Sequence, residues 1–351
     1  MTTHEAESAH EVVSHPVDFD SDPSAMVYTF GGAAPVRSVR PGSVLETSTL
    51  DCFCGRVRSV HDLASEVCDP RYLNPQTGPF YVDGARPGDT LAVHFARIEP
   101  HEAWGASTTV PFFGSLTATP ATAMLHRALP ELTWIYAIDR DARLVRYEAR
   151  ERSGVTVDLP LDPMHGTVGV APALGEVRSS LAPGDWGGNM DTPEMRAGTT
   201  CYLGVNVEGA LFSFGDGHAR QGEGETCGVA VETAMDSTVV VDLVTSDPTP
   251  WPRLEDDDHL MTTGSARPLE DAFRIAHVQM VRWVAELCEL SEMDAYQLVS
   301  QIARTPVANV VDTSYTVVAK VAKAHLPAMR PAAGGAHARL RAVAARHLAS
   351  R

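Results

Sequence analysis

From Met26 to about residue 250 the chain alternates apolar and polar residues in short runs broken by Gly and Pro. VRSV at 36–39 leads through Pro41-Gly42 into SVLETSTL at 43–50. Residues 90–98 alternate well enough for a strand, and 134–152 read as a hairpin turning at 139–141. Leu203, Val205 and Val207 alternate, as do Val229 and Val231, and STVVVDL at 237–243 supplies a further strand. Short strands at this spacing predict a β-sandwich or barrel-like body. Between 160 and 199 Gly and Pro are too dense for regular elements, which predicts a packed loop region of functional interest.

The period changes after an acidic run at 255–258. Ala272, Ile275, Ala276, Met280, Trp283, Val284 and Leu287 recur at helical spacing and predict a helix over 268–290. Ser291 followed by Asp294 opens a second helix, which Pro306 ends. Residues 316–324 fit a strand or a short helix, and the Ala- and Arg-rich end suits a basic helix. The expected class is therefore mainly β (α+β), a β-sandwich or barrel-like body with C-terminal helices. Its expected parts are a frayed leader (1–25), a β-rich body carrying the site loops (26–250), a helical part packed on that body (251–327) and an Ala/Arg-rich tail (328–351).

Composition narrows the function. A 351-residue chain that is 44% hydrophobic can bury a large core in one or two domains. A formal net charge of -17 argues against nucleic acid and against anionic membrane surfaces as partners. No apolar run is long enough to span a bilayer, and the first 15 residues lack an apolar signal core, so a cytoplasmic protein is expected. The six cysteines are scattered; Cys52 and Cys54 form a CxC with no second close pair to complete a zinc ribbon, so reduced, buried thiols are expected.

The chemistry concentrates in LGVNVEGALFSFGDGHARQGEGETCGVAVE, residues 203–232. Its ends read as strand and its middle as a glycine loop, loaded with Asp216, His218, Glu223 and Glu225. Acids and an imidazole on so tight a frame are expensive to hold together unless a cation or substrate uses them. Asp216 and His218 are two apart, and Asn189 and Asp191 repeat that spacing in GGNMD at 187–191. Brought together, the two pairs would make a four-ligand oxygen and nitrogen site, with Asp191 and His218 leading. Against this stand local roles: loop capping for Asn189 and Asp191, and a hydrogen bond within the loop for His218. Glu225 and Glu232 are the candidates for general base and acid, Glu232 because flanking apolar strands would disfavour its charge; a structural salt bridge is its alternative. Cys52, Cys54 and Cys227 are discounted as nucleophiles because no lysine lies near them in this lysine-poor chain.

GPFYVDGARPGDTLAVHF at 78–95, GGNMD, the 203–232 stretch and LSEMDAYQLVSQ at 290–301 together resemble the acetamidase/formamidase family, in its order, over about residues 36–327. GDGHARQGEGE is the specific part. The resemblance implies a β-sandwich with appended helices, a divalent metal in or near the site (zinc before calcium), homo-oligomers, and hydrolysis of a small amide to ammonia and a carboxylate. It extends to the acid of TSTLDCFCG, so Asp51 either lines the site or caps its turn. The alternatives are a non-catalytic small-molecule binding protein on the same fold and a hydrolase of another small C–N substrate.

Overall fold

A computed structural model describes residues 10–19, 22–117 and 127–351. Among these residues two large sheets face each other. One has nine strands in the order Val12–His15, Ser43–Thr49, Met235–Val244, Thr90–Pro100, Thr200–Gly204, Arg253–Glu255, His259–Ala266, Tyr315–Ala322, Val307–Asn309. The main path of the other runs Thr156–Pro160, Leu144–Glu148, Leu132–Asp139, Trp104–Thr109, Val231–Glu232, Phe212–Arg220, Met164–Gly169, Gly187–Asn189. Gln76–Val82 also pairs with Phe212–Arg220.

Alternation decides which face each residue serves. In the nine-stranded sheet Leu45, Leu91, Val93, Phe95, Val239 and Val241 point inward, where Phe80, Phe212 and Phe214 meet them from the other sheet. Phe95 and Phe214, one from each sheet, touch edge to face with centroids 6.2 Å apart. The intervening Val44, Ala92, Tyr202, Val240 and Leu260 point outward, under a helical layer. The helix Leu269–Cys288 lays Ala272, Ala276, Met280, Trp283, Val284 and Leu287 on them, the face its periodicity predicts. Among these, each fully buried Met, Val or Leu side chain contributes roughly 1.5–3 kcal/mol. Ser291 caps the next helix, Glu292–Ile302, its hydroxyl accepting from Asp294 N. No helix among the described residues is long and apolar enough to cross a membrane.

Several boundaries differ from the sequence reading. The leader expected at 1–25 lies outside the described residues over 1–9 and at 20 and 21, but Val12–His15 is an ordered strand parallel to Ser43–Thr49. The part expected to be helical, 251–327, also contributes four strands to the nine-stranded sheet. Residues Tyr315–Ala322 resolve the open choice as strand, pairing in full with His259–Ala266. The centre of the expected glycine loop, 212–220, is a buried strand. Gly215 and Gly217 are there for close approach: a Cβ on either would come 2.6 Å from the carbonyl oxygen of Pro75 or Thr233. All six cysteines are free, and Cys227 is exposed where burial was expected.

The last helix, Ala336–Ala349, docks through Leu340 and Val343 and through a polar relay. His94 Nδ1 lies 3.0 Å from Thr200 Oγ1, which lies 2.9 Å from His337 Nδ1. His337 Nε2 in turn meets Asp257 Oδ1 at 3.1 Å. Burial, with His337 beside it, holds the His94 imidazole down from 6.5 to about 4. A group depressed on folding stabilises the fold above its unfolded value, and that contribution is lost as pH falls, here through the window 6.5 to 4. Urea unfolding at about pH 7.5 and about pH 4.5 should show wild type losing roughly 3 kcal/mol more than His94→Gln. Parallel profiles would refute this role for His94.

Candidate active site

The site sits where Phe212–Arg220 runs between Met164–Gly169 and the short strand Val231–Glu232. His165 pairs with Gly217 and Thr167 with Gly215, which sets Gly166 opposite Asp216. His218 pairs with Glu232 on the other side. Thr167 pairs with Asn189, which carries GGNMD onto the same floor. The carboxylate and imidazole tips of Asp191, Asp216 and His218 crowd over Gly166. A Cβ there would come 2.9 Å from His218 Cε1, 2.6 Å from Asp216 Oδ2 and closer still to Asp191 Oδ1.

Ligand atoms on Asp191, Asp216 and His218 lie within 4.8 Å of one another, and so do those on His218, Glu225 and Glu232. The two glycine-framed segments distant in sequence therefore do meet. His218 is held in one tautomer: Nδ1–H donates to Gln221 Oε1 at 2.9 Å, and Gln221 Nε2 donates to the carbonyls of Asp191 at 2.6 Å and Ala308 at 3.0 Å. That leaves Nε2 facing Asp216 Oδ1 at 3.4 Å and Glu232 Oε2 at 3.2 Å.

Charge is unbalanced here. A cavity of about 540 Å³ is lined by Asp191, Asp216, Glu225, Glu232 and Asp312 against the single imidazole of His218, with no Lys or Arg in its described lining. Burial pushes Asp191 well above the usual carboxylate range, and Glu225, Asp312 and Asp216 push it further. Burial likewise raises Glu225 and Glu232, with His218 pulling the other way. Asp312 rises to about 7, chiefly through burial. Burial alone would raise Asp216 too, but His218 and its hydrogen bonds carry it below its ordinary value. Burial disfavours the His218 imidazolium, yet Glu232 and Asp216 outweigh it and raise the imidazole well above 6.5. The buried Asp191 Oδ1 has no hydrogen-bond partner, while Glu232 Oε2 is held by its ion-pair contact with His218 Nε2 at 3.2 Å.

Two expected residues take other places. Asn189 was grouped with the ligands, but its side-chain oxygen accepts from Asn74 Nδ2 at 2.9 Å and from the Thr167 hydroxyl. Its nitrogen donates to Asp191 Oδ2 and Asp312 Oδ2, both at 2.9 Å. It binds the carboxylates together. Asp51 caps its turn, Oδ1 accepting from Phe53 N at 2.8 Å and Gly55 N at 3.0 Å, and it is absent from the cavity lining. Sequence reasoning missed Asp312 and Asn309: Asn309 Nδ2 donates to Asp191 Oδ2 and Asp312 Oδ2, each at 3.2 Å. Cys52, weighed in the sequence and discounted as a nucleophile, does reach the site, its sulfur lying within 4.8 Å of ligand atoms on Asp216 and Glu232. Burial and those two acids push the Cys52 thiol well up, which disfavours the thiolate and agrees with discounting it as a nucleophile.

Comparison with known proteins meets this geometry. The sequence profile of the Acetamidase/Formamidase family matches residues 32–182 and 110–249. A crystal structure of an acetamidase from Yersinia enterocolitica is 36% identical, superposes with a TM-score of 0.84, and is matched over 92% of this chain and 95% of that one. An acetamidase from Bacillus halodurans gives 30%, 0.76, 89% and 97% for the same measures. An acetamidase of Mycolicibacterium smegmatis is 29% identical over 59% of this chain and 63% of its own length. The chain thus spans about three fifths of the length of the curated relatives it matches.

Proposed function

Since the chain belongs to the acetamidase/formamidase family, we propose that it is a metal-dependent amidase, hydrolysing the C–N bond of a carboxamide to ammonia and a carboxylate. The observation that carries this reading is Asp191 Oδ1, a buried carboxylate oxygen with no hydrogen-bond partner, on the floor of a cavity where five carboxyls face the single imidazole of His218. So many buried carboxyls against one imidazole are costly, so the donor set fits a divalent cation. Asp191, Asp216 and His218 would hold it, zinc being favoured over calcium by the imidazole among the donors. When bound, such an ion acidifies water and polarises a carbonyl.

The chain's own groups supply the rest. Glu225 and Glu232 are grouped with His218 by distance and raised by burial. A carboxyl so placed accepts the proton of an attacking water and returns it to the departing nitrogen. Gln221 keeps the His218 ring oriented, and Asn189 and Asn309 hold Asp191 in place. A homo-oligomer in the cytoplasm completes the proposal. The test is ammonia release from a panel of primary amides, with elemental analysis of the purified protein. We expect turnover that a chelator removes and a zinc supplement restores; chelator-insensitive turnover by metal-free protein would sink the metal assignment.

A further inference from the structure

The cavity is far larger than formamide or acetamide requires. Acetamide displaces about three waters' worth of volume, at roughly 30 Å³ each, whereas the cavity measures about 540 Å³, within the range of roughly 300–1,000 Å³ that suits ligands of many atoms. Its two sides differ in kind. The floor is the acid and imidazole cluster. The rest of the lining is largely apolar, a wall formed by Phe53, Leu73, Val110, Phe113, Leu181 and Val229. The wall is backed rather than loose: Phe53 and Val229 pack with Val57, Ala64 and Ala106 in a separate core, with Leu73 and Val110 against it. Phe113 and Leu181 are 36% and 39% exposed, so the apolar lining continues to the mouth. A short amide bound at the floor would leave this wall facing water that has nothing there to hydrogen-bond.

Resting on the amidase reading, we propose that the substrate is the carboxamide of a bulky apolar acid, ring-bearing or branched, whose acyl group lies along this wall while its amide meets the floor. The reaction is RCONH2 + H2O → RCOO⁻ + NH4⁺. Water adds to the carbonyl carbon, the C–N bond breaks, and the acid's proton leaves with ammonia. Contact with the wall, remote from the reacting carbon, is then what raises kcat/KM.

The test compares kcat/KM for formamide, acetamide, butyramide, hexanamide and phenylacetamide using the full chain with its metal. We expect a rise of roughly threefold to fourfold per methylene and a phenylacetamide value at least about a hundredfold above acetamide. Val110→Trp, which fills the wall, should lower the phenylacetamide-to-acetamide ratio at least about tenfold. If acetamide or formamide is the better substrate, this inference is overturned and the amidase reading stands. If no amide in the series releases ammonia, both fall. The wild-type series decides the matter even if the variant does not fold.

Discussion

His218→Ala is expected to lower kcat/KM for every amide substrate by at least about a thousandfold and to remove tight divalent metal from the purified protein. His218 belongs to two of the three candidate ligand groups on the floor, one with Asp191 and Asp216 and one with Glu225 and Glu232; the third joins Cys52, Asp216 and Glu232. No neighbouring side chain replaces its nitrogen, because the other groups facing that point are carboxyls and a thiol held in its neutral form. Gln221 fixes the imidazole from behind, so Gln221→Ala leaves the nitrogen present but free to turn. That substitution should cost about ten- to a hundredfold. The graded pair matters: a structural role for His218 would make both variants scale with lost thermal stability, whereas ligation separates activity and metal content from stability. Ammonia assays, elemental analysis and thermal unfolding on the same preparations provide the check. A His218→Ala protein that keeps its metal and more than about a tenth of its activity would remove the basis for the assignment.

Much of the fold can be read from periodicity, and the failures have identifiable causes. The helix Leu269–Cys288 is legible because only one face is covered, so Ala272, Ala276, Met280 and Trp283 stand out against polar neighbours. Tyr315–Ala322 is ambiguous because both of its faces are covered, leaving few polar positions to mark the period. Gly215 and Gly217 mislead because glycine has two uses, left-handed backbone and close approach; the sequence shows the residue and not the carbonyl pressed against it. The site divides the same way. Asp191, Asp216 and His218 are legible because acids and imidazole two residues apart beside glycines are rare enough to demand a reason. Asp312 and Asn309 have no such local signature. They reach Asp191 only because Val307–Asn309 forms the edge of the nine-stranded sheet and Gly224 bridges to Asn309. Asn189 was recognised as part of the site but not in its part there, since one amide two residues from an acid fits a ligand and a brace equally well until Asn74 and Thr167 claim its oxygen.

Gly166→Ala should produce a folded protein with almost no activity, a loss of at least about a hundredfold, and weakened metal binding. Gly166 lies on Met164–Gly169 without a left-handed φ, so alanine suits its backbone. The nearest atoms to the added methyl are the tips of side chains: Asp191 Oδ1, Asp216 Oδ2 at 2.6 Å and His218 Cε1 at 2.9 Å. Shifting these buried, braced tips lets the strands keep their register at a cost of about 1–3 kcal/mol. What cannot survive is the convergence of those three groups, because the methyl occupies the space they point across. Gly187→Ala makes the contrast. Its Cβ would run into the backbone carbonyl of Val168, and its φ of 92° already excludes a side chain, so that variant should fail in folding rather than in chemistry. Thermal unfolding, zinc titration and ammonia release for the two proteins side by side separate the cases. A Gly166→Ala enzyme with wild-type turnover would mean that Asp191, Asp216 and His218 need not converge for the reaction, and the proposed metal set would have to be abandoned.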